Sequence, residues 1–171
     1  MALGTDISSR LRQRLPALGW VLLGALVLCL PAIWNGFPLV YSDTGAYLAT
    51  AFEGKVPMAR PTGYGLFIRY TSLGGHVWLP VIAQALLMAG LLMRTLRVAL
   101  PQADVRKTYP LALGAAVGLT GMAWYASQWM PDVFTGLVAL AFFLILFDAT
   151  AAWWGRMSYA FLAYWFCVAH Y

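Results

Sequence analysis

Long uncharged runs alternate with short polar segments along the chain. Twenty-eight uncharged residues separate Arg14 from Asp43, and 24 separate Arg69 from Arg94 and again Lys107 from Asp132. A helix crosses the hydrocarbon core of a bilayer with about 20 apolar residues, so each run is long enough. The pattern predicts spans centred on residues 17–36, 78–93 and 111–129. A fourth covers 133–154, with Asp148 as its only charge. A fifth starts after Arg156 and reads MSYAFLAYWFCVAHY to the last residue. At the helical rise these residues cover about 22 Å, short of the roughly 30 Å core. The expected fold class is therefore all-α: a polytopic transmembrane helical bundle of four full spans plus a truncated fifth. Residues 1–171 form a single transmembrane domain, expected to be the N-terminal portion of a longer protein.

Between the first two spans, residues 37–76 make the one long connection, FPLVYSDTGAYLATAFEGKVPMARPTGYGLFIRYTSLGGH. Ser42 or Asp43 suits a helix N-cap and Gly54 a stop, with Tyr47, Leu48, Ala51 and Phe52 at helical spacing between them. A second helix is expected from Pro61 to Gly74, presenting Tyr64, Phe67, Ile68 and Thr71 on one side. Both read as short amphipathic helices lying on the outer membrane surface.

Composition fits this pattern. Of 171 residues, 62% are apolar and 10% charged, with a mean hydropathy of +0.73. Those values exclude an ordinary water-soluble globule and a disordered chain. The net charge of +5 does not point to nucleic acid, because the cations sit in clusters between apolar runs. With the N-terminus cytoplasmic, Arg10, Arg12, Arg14, Arg94, Arg97, Arg106, Lys107 and Arg156 fall inside, against Lys55, Arg60 and Arg69 outside. This bias predicts an N-in, multi-pass protein, with a bacterial inner membrane as the expected setting. The basic start and long first apolar run fit an uncleaved signal-anchor. Cys29 and Cys167 both lie in apolar runs, which argues against a disulfide or a metal site.

Other polar positions have structural readings. Gln84 should hydrogen-bond to a neighbouring helix, and Asp148 should pair with a cytoplasmic arginine. Gly114 and Gly118 give the third span a small-residue face suited to close helix–helix contact with a partner helix. Trp34, Tyr41, Trp78, Trp129, Trp153 and Trp154 suit an interfacial aromatic belt. His76 and His170 suit interfacial aromatics with wet tips.

Chemistry concentrates at the outer face. Asp43 follows the first span, and Asp132 follows Pro131 in SQWMPDVFTG at the start of the fourth. Each alone is explained by capping, worth about 0.3–1 kcal/mol through the helix dipole. Two carboxylates on one face, with Lys55 and Arg60 between them in sequence, suit an anionic lipid-linked substrate. Its phosphate would meet the cations while a carboxylate handles a hydroxyl.

The order of YSDTGAYLATAFEGKVPMARPTGYGLFI, followed by WMPDVFTGLVALAFF, resembles the C-type (GT-C) membrane glycosyltransferases. The likeness is to the N-terminal portion of their protein-mannosyltransferase and aminoarabinose-transferase-like branch. Many members carry an acidic pair after the first span, whereas here Thr44 follows Asp43. The resemblance implies transfer of a sugar from a polyprenyl-phosphate-linked donor to an acceptor on the external face. It implies Asp43 and Asp132 as catalytic residues, with Arg60, Lys55 and Tyr64 binding substrate. Asp43 would be the base or orient the acceptor, and Arg60, with Lys55, would neutralise the leaving phosphate. Asp132 would support the acceptor or, with Glu53, offer hard oxygen ligands to a divalent cation. The competing reading is a non-catalytic integral membrane protein, an assembly subunit or a carrier of lipid intermediates.

Overall fold

The computed structural model describes residues 17–56 and 60–170, and it is helical throughout, with no strand among the described residues. The basic start, Arg10 to Arg14, lies outside the described residues. The helices are α1 (Ala17–Leu28), α2 (Leu30–Asn35), α3 (Thr44–Leu48), α4 (Thr62–Thr71), α5 (Trp78–Ala99), α6 (Val105–Leu119), α7 (Met122–Ala126), α8 (Asp132–Phe147) and α9 (Trp153–His170). A π-helical turn, Ala49–Glu53, continues α3.

The expected spans are more broken than the charge-free runs suggest. Among the described residues only α5 is both long and apolar enough to cross a membrane, while α1 and α8 are shorter apolar helices. The first run divides at Cys29, with Pro31 in the first turn of α2 and Gly36 ending it at φ 75°. There the Ser127 hydroxyl donates to the Leu28 carbonyl at 3.0 Å, satisfying a group that the break frees. The third run divides at Thr120–Gly121 into α6 and α7, with Pro110 inside α6. The fourth stops at Asp148, and α9 begins three residues before Arg156. Charge-free length locates apolar mass, but prolines and glycines decide where it stays helical.

Helix α5 runs through the middle and buries Val81, Gln84, Ala85, Met88 and Ala89. Helices α8 and α9 form an antiparallel hairpin against it. The hairpin is locked at one end by Arg94, whose guanidinium grips both Asp148 carboxylate oxygens at 2.7 Å. The Tyr159 and Thr150 hydroxyls also donate to Asp148, which confirms the expected arginine partner and satisfies a buried carboxylate fully. On α1, Gly24 lies under the Tyr109 hydroxyl so closely that a Cβ would sit 2.1 Å from it. That hydroxyl donates to the Ala89 carbonyl at 3.3 Å, tying α1, α5 and α6 together.

Within the 37–76 segment, the stripe expected on α4 is real, and Tyr64, Phe67 and Ile68 are buried against protein. Gly63 meets α9 so tightly that a Cβ would come within 2.2 Å of the Val168 carbonyl oxygen, and Gly65 packs on Thr50 of the π turn. Ring contacts run through this region edge-to-face from Tyr47 to Tyr64 (5.2 Å) and on to Phe134 (5.8 Å), and then stacked from Phe134 to Phe166 (5.1 Å). Each such pair adds about 0.5–1.5 kcal/mol beyond area burial. In contrast, among the described residues Gly114 and Gly118 have nothing within 4 Å of a built Cβ, so their close-packing face is open there. Trp129 also departs from expectation, being 4% exposed beneath Phe37 and not at a surface belt.

Candidate functional site

Two backbone stretches far apart in sequence meet where the site forms. The Leu39 amide donates to the Ser127 carbonyl at 2.8 Å, and the Trp129 amide returns a bond to the Leu39 carbonyl at 2.9 Å. The Thr44 hydroxyl then donates to the Trp129 carbonyl at 3.2 Å and accepts from the Tyr41 amide at 2.9 Å. Below, Gln84 donates to the Ala126 and Gln128 carbonyls at 2.8 and 2.6 Å and accepts from the Tyr64 hydroxyl at 3.1 Å. The expected interhelical role of Gln84 is thus met, and its target is the turn that carries Asp132. Thr44 and Gln84 together fix the start of α3 against the start of α8.

Asp43 is positioned as an N-cap, yet its side chain makes no capping hydrogen bond. Its carboxylate faces Arg60 at 2.9 Å and accepts weakly from Ser42 at 3.4 Å. The Asp43 side chain is 24% exposed and that of Arg60 46%, so the pair is open to a ligand on one side. Arg60 owes its position to Pro61, whose extended backbone (φ −66°, ψ 139°) turns the chain into α4.

Asp132 opens α8 after Pro131 and faces His170 at the end of α9, Oδ1 to Nε2, at 3.6 Å. Both acids lie within electrostatic reach of one hydroxyl. Burial raises the Tyr47 pKa, Arg60 opposes the shift, and Asp43 and Asp132 add to it. Burial likewise pushes Tyr64 well above the ordinary range, with Tyr47 and Asp132 contributing to the rise. The two carboxylates therefore share a neighbourhood around the Tyr47–Tyr64 pair.

The other expected site residues lie elsewhere or inside. Tyr64 has no exposed surface, so it supports the site from beneath and does not contact a substrate. Lys55 is exposed and pairs with Glu53 at 2.6 Å, and that carboxylate raises its pKa by hydrogen bonding to the ammonium. It stands apart from the Asp43–Arg60 pair. Glu53 and Asp132 do not converge either: one pairs with Lys55 and the other with His170. Among the described residues no three acids, histidines or cysteines gather as ligands. The described donor set thus does not fit a divalent cation at Glu53 and Asp132.

Two cavities flank the carboxylates. One of about 520 Å³ is lined by Tyr41, Trp124, Tyr125, Gln128 and Asp132, among others. Another of about 540 Å³ opens between α4 and α9, with Arg60, Pro61 and Thr62 on one wall and Tyr164, Cys167 and Val168 on the other. Tyr47, Tyr41 and His170 had structural readings in the sequence, as a helix stripe and interfacial aromatics, and Trp124 and Tyr125 had none; the fold brings them to the site. Tyr47 stands one helical turn after Asp43, a usable signal. His170 becomes a neighbour of Asp132 only because α8 and α9 run antiparallel. Comparisons with family models, curated proteins and solved structures give no match for this chain.

Proposed function

We propose that the chain is a multi-pass membrane protein that transfers a sugar from a polyprenyl-phosphate-linked donor to an acceptor hydroxyl on the external face, in the manner of the GT-C enzymes it resembles. One observation carries this reading: the Asp43 carboxylate ignores its helix cap and faces Arg60 at a solvent-open edge between two cavities. A carboxylate kept off its own helix has its lone pairs available for a proton, and a neighbouring guanidinium suits a phosphate.

In this scheme the donor phosphate enters beside Arg60, where the apolar wall of α9 suits the prenyl chain. The acceptor hydroxyl lies against Asp43, which takes its proton as the acceptor oxygen bonds to the anomeric carbon. The bond from that carbon to the phosphate oxygen breaks, and the lipid phosphate leaves with its charge facing Arg60. Phosphate competes with Asp43 for Arg60, so donor binding itself frees the carboxylate to act as base. Asp132 holds acceptor hydroxyls. Full-length protein in proteoliposomes with a radiolabelled polyprenyl-phosphate sugar tests the scheme. Asp43→Asn should lower transfer by at least about a hundredfold, the usual scale of a lost general base, with membrane insertion unchanged. Wild-type rates in that variant would remove Asp43 from the chemistry.

The open Gly114 and Gly118 face on α6 favours a second reading, an assembly subunit that contacts a partner helix there. Loss of a co-purifying helix on Gly114→Leu, with no transfer by the wild type, would support it.

A further inference from the structure

The cavity at Asp132 has a chemistry distinct from that at Arg60. Its lining combines one carboxylate, one primary amide and three aromatic side chains, with no Lys or Arg among the described lining residues and with His170 facing the carboxylate at 3.6 Å from the end of α9. Tyr41, Trp124 and Tyr125 remain 62%, 58% and 49% exposed, an unusual concentration of ring surface around a polar floor. Aromatic faces with a few hydrogen-bonding groups suit a ligand that has both apolar C–H faces and hydroxyls. A carboxylate accepts hydrogen bonds from hydroxyls and repels a phosphate.

Trp124 also forms the edge of a second space. An apolar groove of about 520 Å³ runs between α1–α2 and α6–α7, walled by Val27, Leu30, Ile33, Trp34, Val117 and Trp124. The polar cavity and the apolar groove therefore adjoin across one indole. A molecule occupying both has a hydroxylated, uncharged head and a hydrocarbon chain.

We infer that the Asp132 cavity and its adjoining groove form a binding site for an uncharged glycolipid, whose sugar stacks on Trp124 and Tyr125 and hydrogen-bonds to Asp132 and Gln128. This deepens the transferase reading and rests on it only for the role: the bound glycolipid would be the acceptor, while the charged donor keeps to Arg60. The site makes its own demand, a preference for glycoside over phosphate on identical chains.

Calorimetry on the full chain in nanodiscs tests it, with citronellyl glucoside and citronellyl phosphate as probes and Arg60→Ala as background to remove the other site. The glucoside should bind at least about tenfold more tightly than the phosphate, the scale of one lost hydrogen bond to a charged group. Asp132→Asn should erase that preference. Ile33→Trp, which fills the groove, should weaken citronellyl glucoside and leave methyl glucoside unchanged. Trp124→Ala, at an exposed position, gives a second variant should Asp132→Asn fold poorly, and it should weaken both glucosides. Equal affinity for phosphate and glucoside, or affinities indifferent to Asp132→Asn and Trp124→Ala, would overturn the inference. Selective glucoside binding without any sugar transfer would support this site and overturn the transferase reading. Transfer by a chain that shows no such selectivity would overturn this site alone.

Discussion

Tyr64 was expected among substrate contacts and instead holds up the floor beneath them. Its hydroxyl donates to the Gln84 Oε1, and Gln84 in turn holds the carbonyls of Ala126 and Gln128. The links of Gln84 to Tyr64 and Ala126 are buried and that to Gln128 partly so, and removing the Tyr64 hydroxyl leaves the buried amide oxygen without its donor. Tyr64→Phe keeps the edge-to-face ring contacts with Tyr47 and Phe134 and deletes only the hydroxyl. The expected cost is about 1–3 kcal/mol, seen as a lower unfolding midpoint in detergent. Gln84→Leu should cost more, because two carbonyls lose their donor at once. An unchanged midpoint in both variants would show that the turn carrying Asp132 is held from elsewhere. The sequence pattern made Gln84 legible, since a lone amide in an apolar helix needs a partner. It placed Tyr64 on the correct stripe, but periodicity cannot say whether a stripe faces lipid or protein. Gly63 and Gly65, which let α9 and the π turn approach on either side, settle that here.

Helices α5, α8 and α9 depend on a polar lock opposite the candidate site. Asp148 is buried, receives both arms of Arg94 and accepts from Tyr159 and Thr150. Breaking a buried pair from one side strands a charge, at about 3–5 kcal/mol. The Arg94 side chain is 33% exposed, so water softens the penalty, and Asp148→Ala should fall at the lower end of that range. Arg94→Met with Asp148→Leu should recover part of the loss, because no charge is left stranded, while the Tyr159 and Thr150 hydroxyls still lose their acceptor. Thermal unfolding of both variants checks this, and a double variant no better than the single would show that the lock sets helix geometry and not only charge balance. Pairing of Asp148 with an arginine was legible, because an acid inside an apolar run requires a counterion. The breaks at Cys29, Thr120–Gly121 and Asp148 were less so, since hydropathy averages over single residues. Pro31 and Gly36 marked the first break in sequence. The group that satisfies that break, the Ser127 hydroxyl on the Leu28 carbonyl, lies 99 positions away and could not be read; for the second break, Gly121 was the marker in the sequence.

Across the whole molecule, the two polar clusters lie at opposite ends of α8, whose 16 residues span about 24 Å at the helical rise. Arg94, Asp148 and Tyr159 occupy one end; Asp132, His170 and the Asp43–Arg60 pair occupy the other. This separation is what a bundle needs if it is to present one polar face to each side of a bilayer, although among the described residues only α5 meets the span length alone. The segmented α1–α2 and α6–α7 pairs would then cross as two pieces, the first break covered by Ser127 and the second by the Thr120 hydroxyl, which donates to the Ala116 carbonyl and accepts from the Met122 amide. A topology follows that labelling can read. In a background with Cys29→Ser and Cys167→Ser, a cysteine at Lys55 should react with a membrane-impermeant maleimide added to intact spheroplasts. A cysteine at Gln102, in the turn between α5 and α6, should react only after permeabilisation. Reaction of both from the same side would mean that α5 does not cross, and the apolar faces of α1, α6 and α8 would then need protein partners in place of lipid. Reaction of Gln102 alone would invert the molecule and turn the Asp43–Arg60 edge to the cytoplasm, against the excess of cations around α5–α6. The orientation thus decides which compartment supplies the acceptor, and it can be measured before any substrate is known.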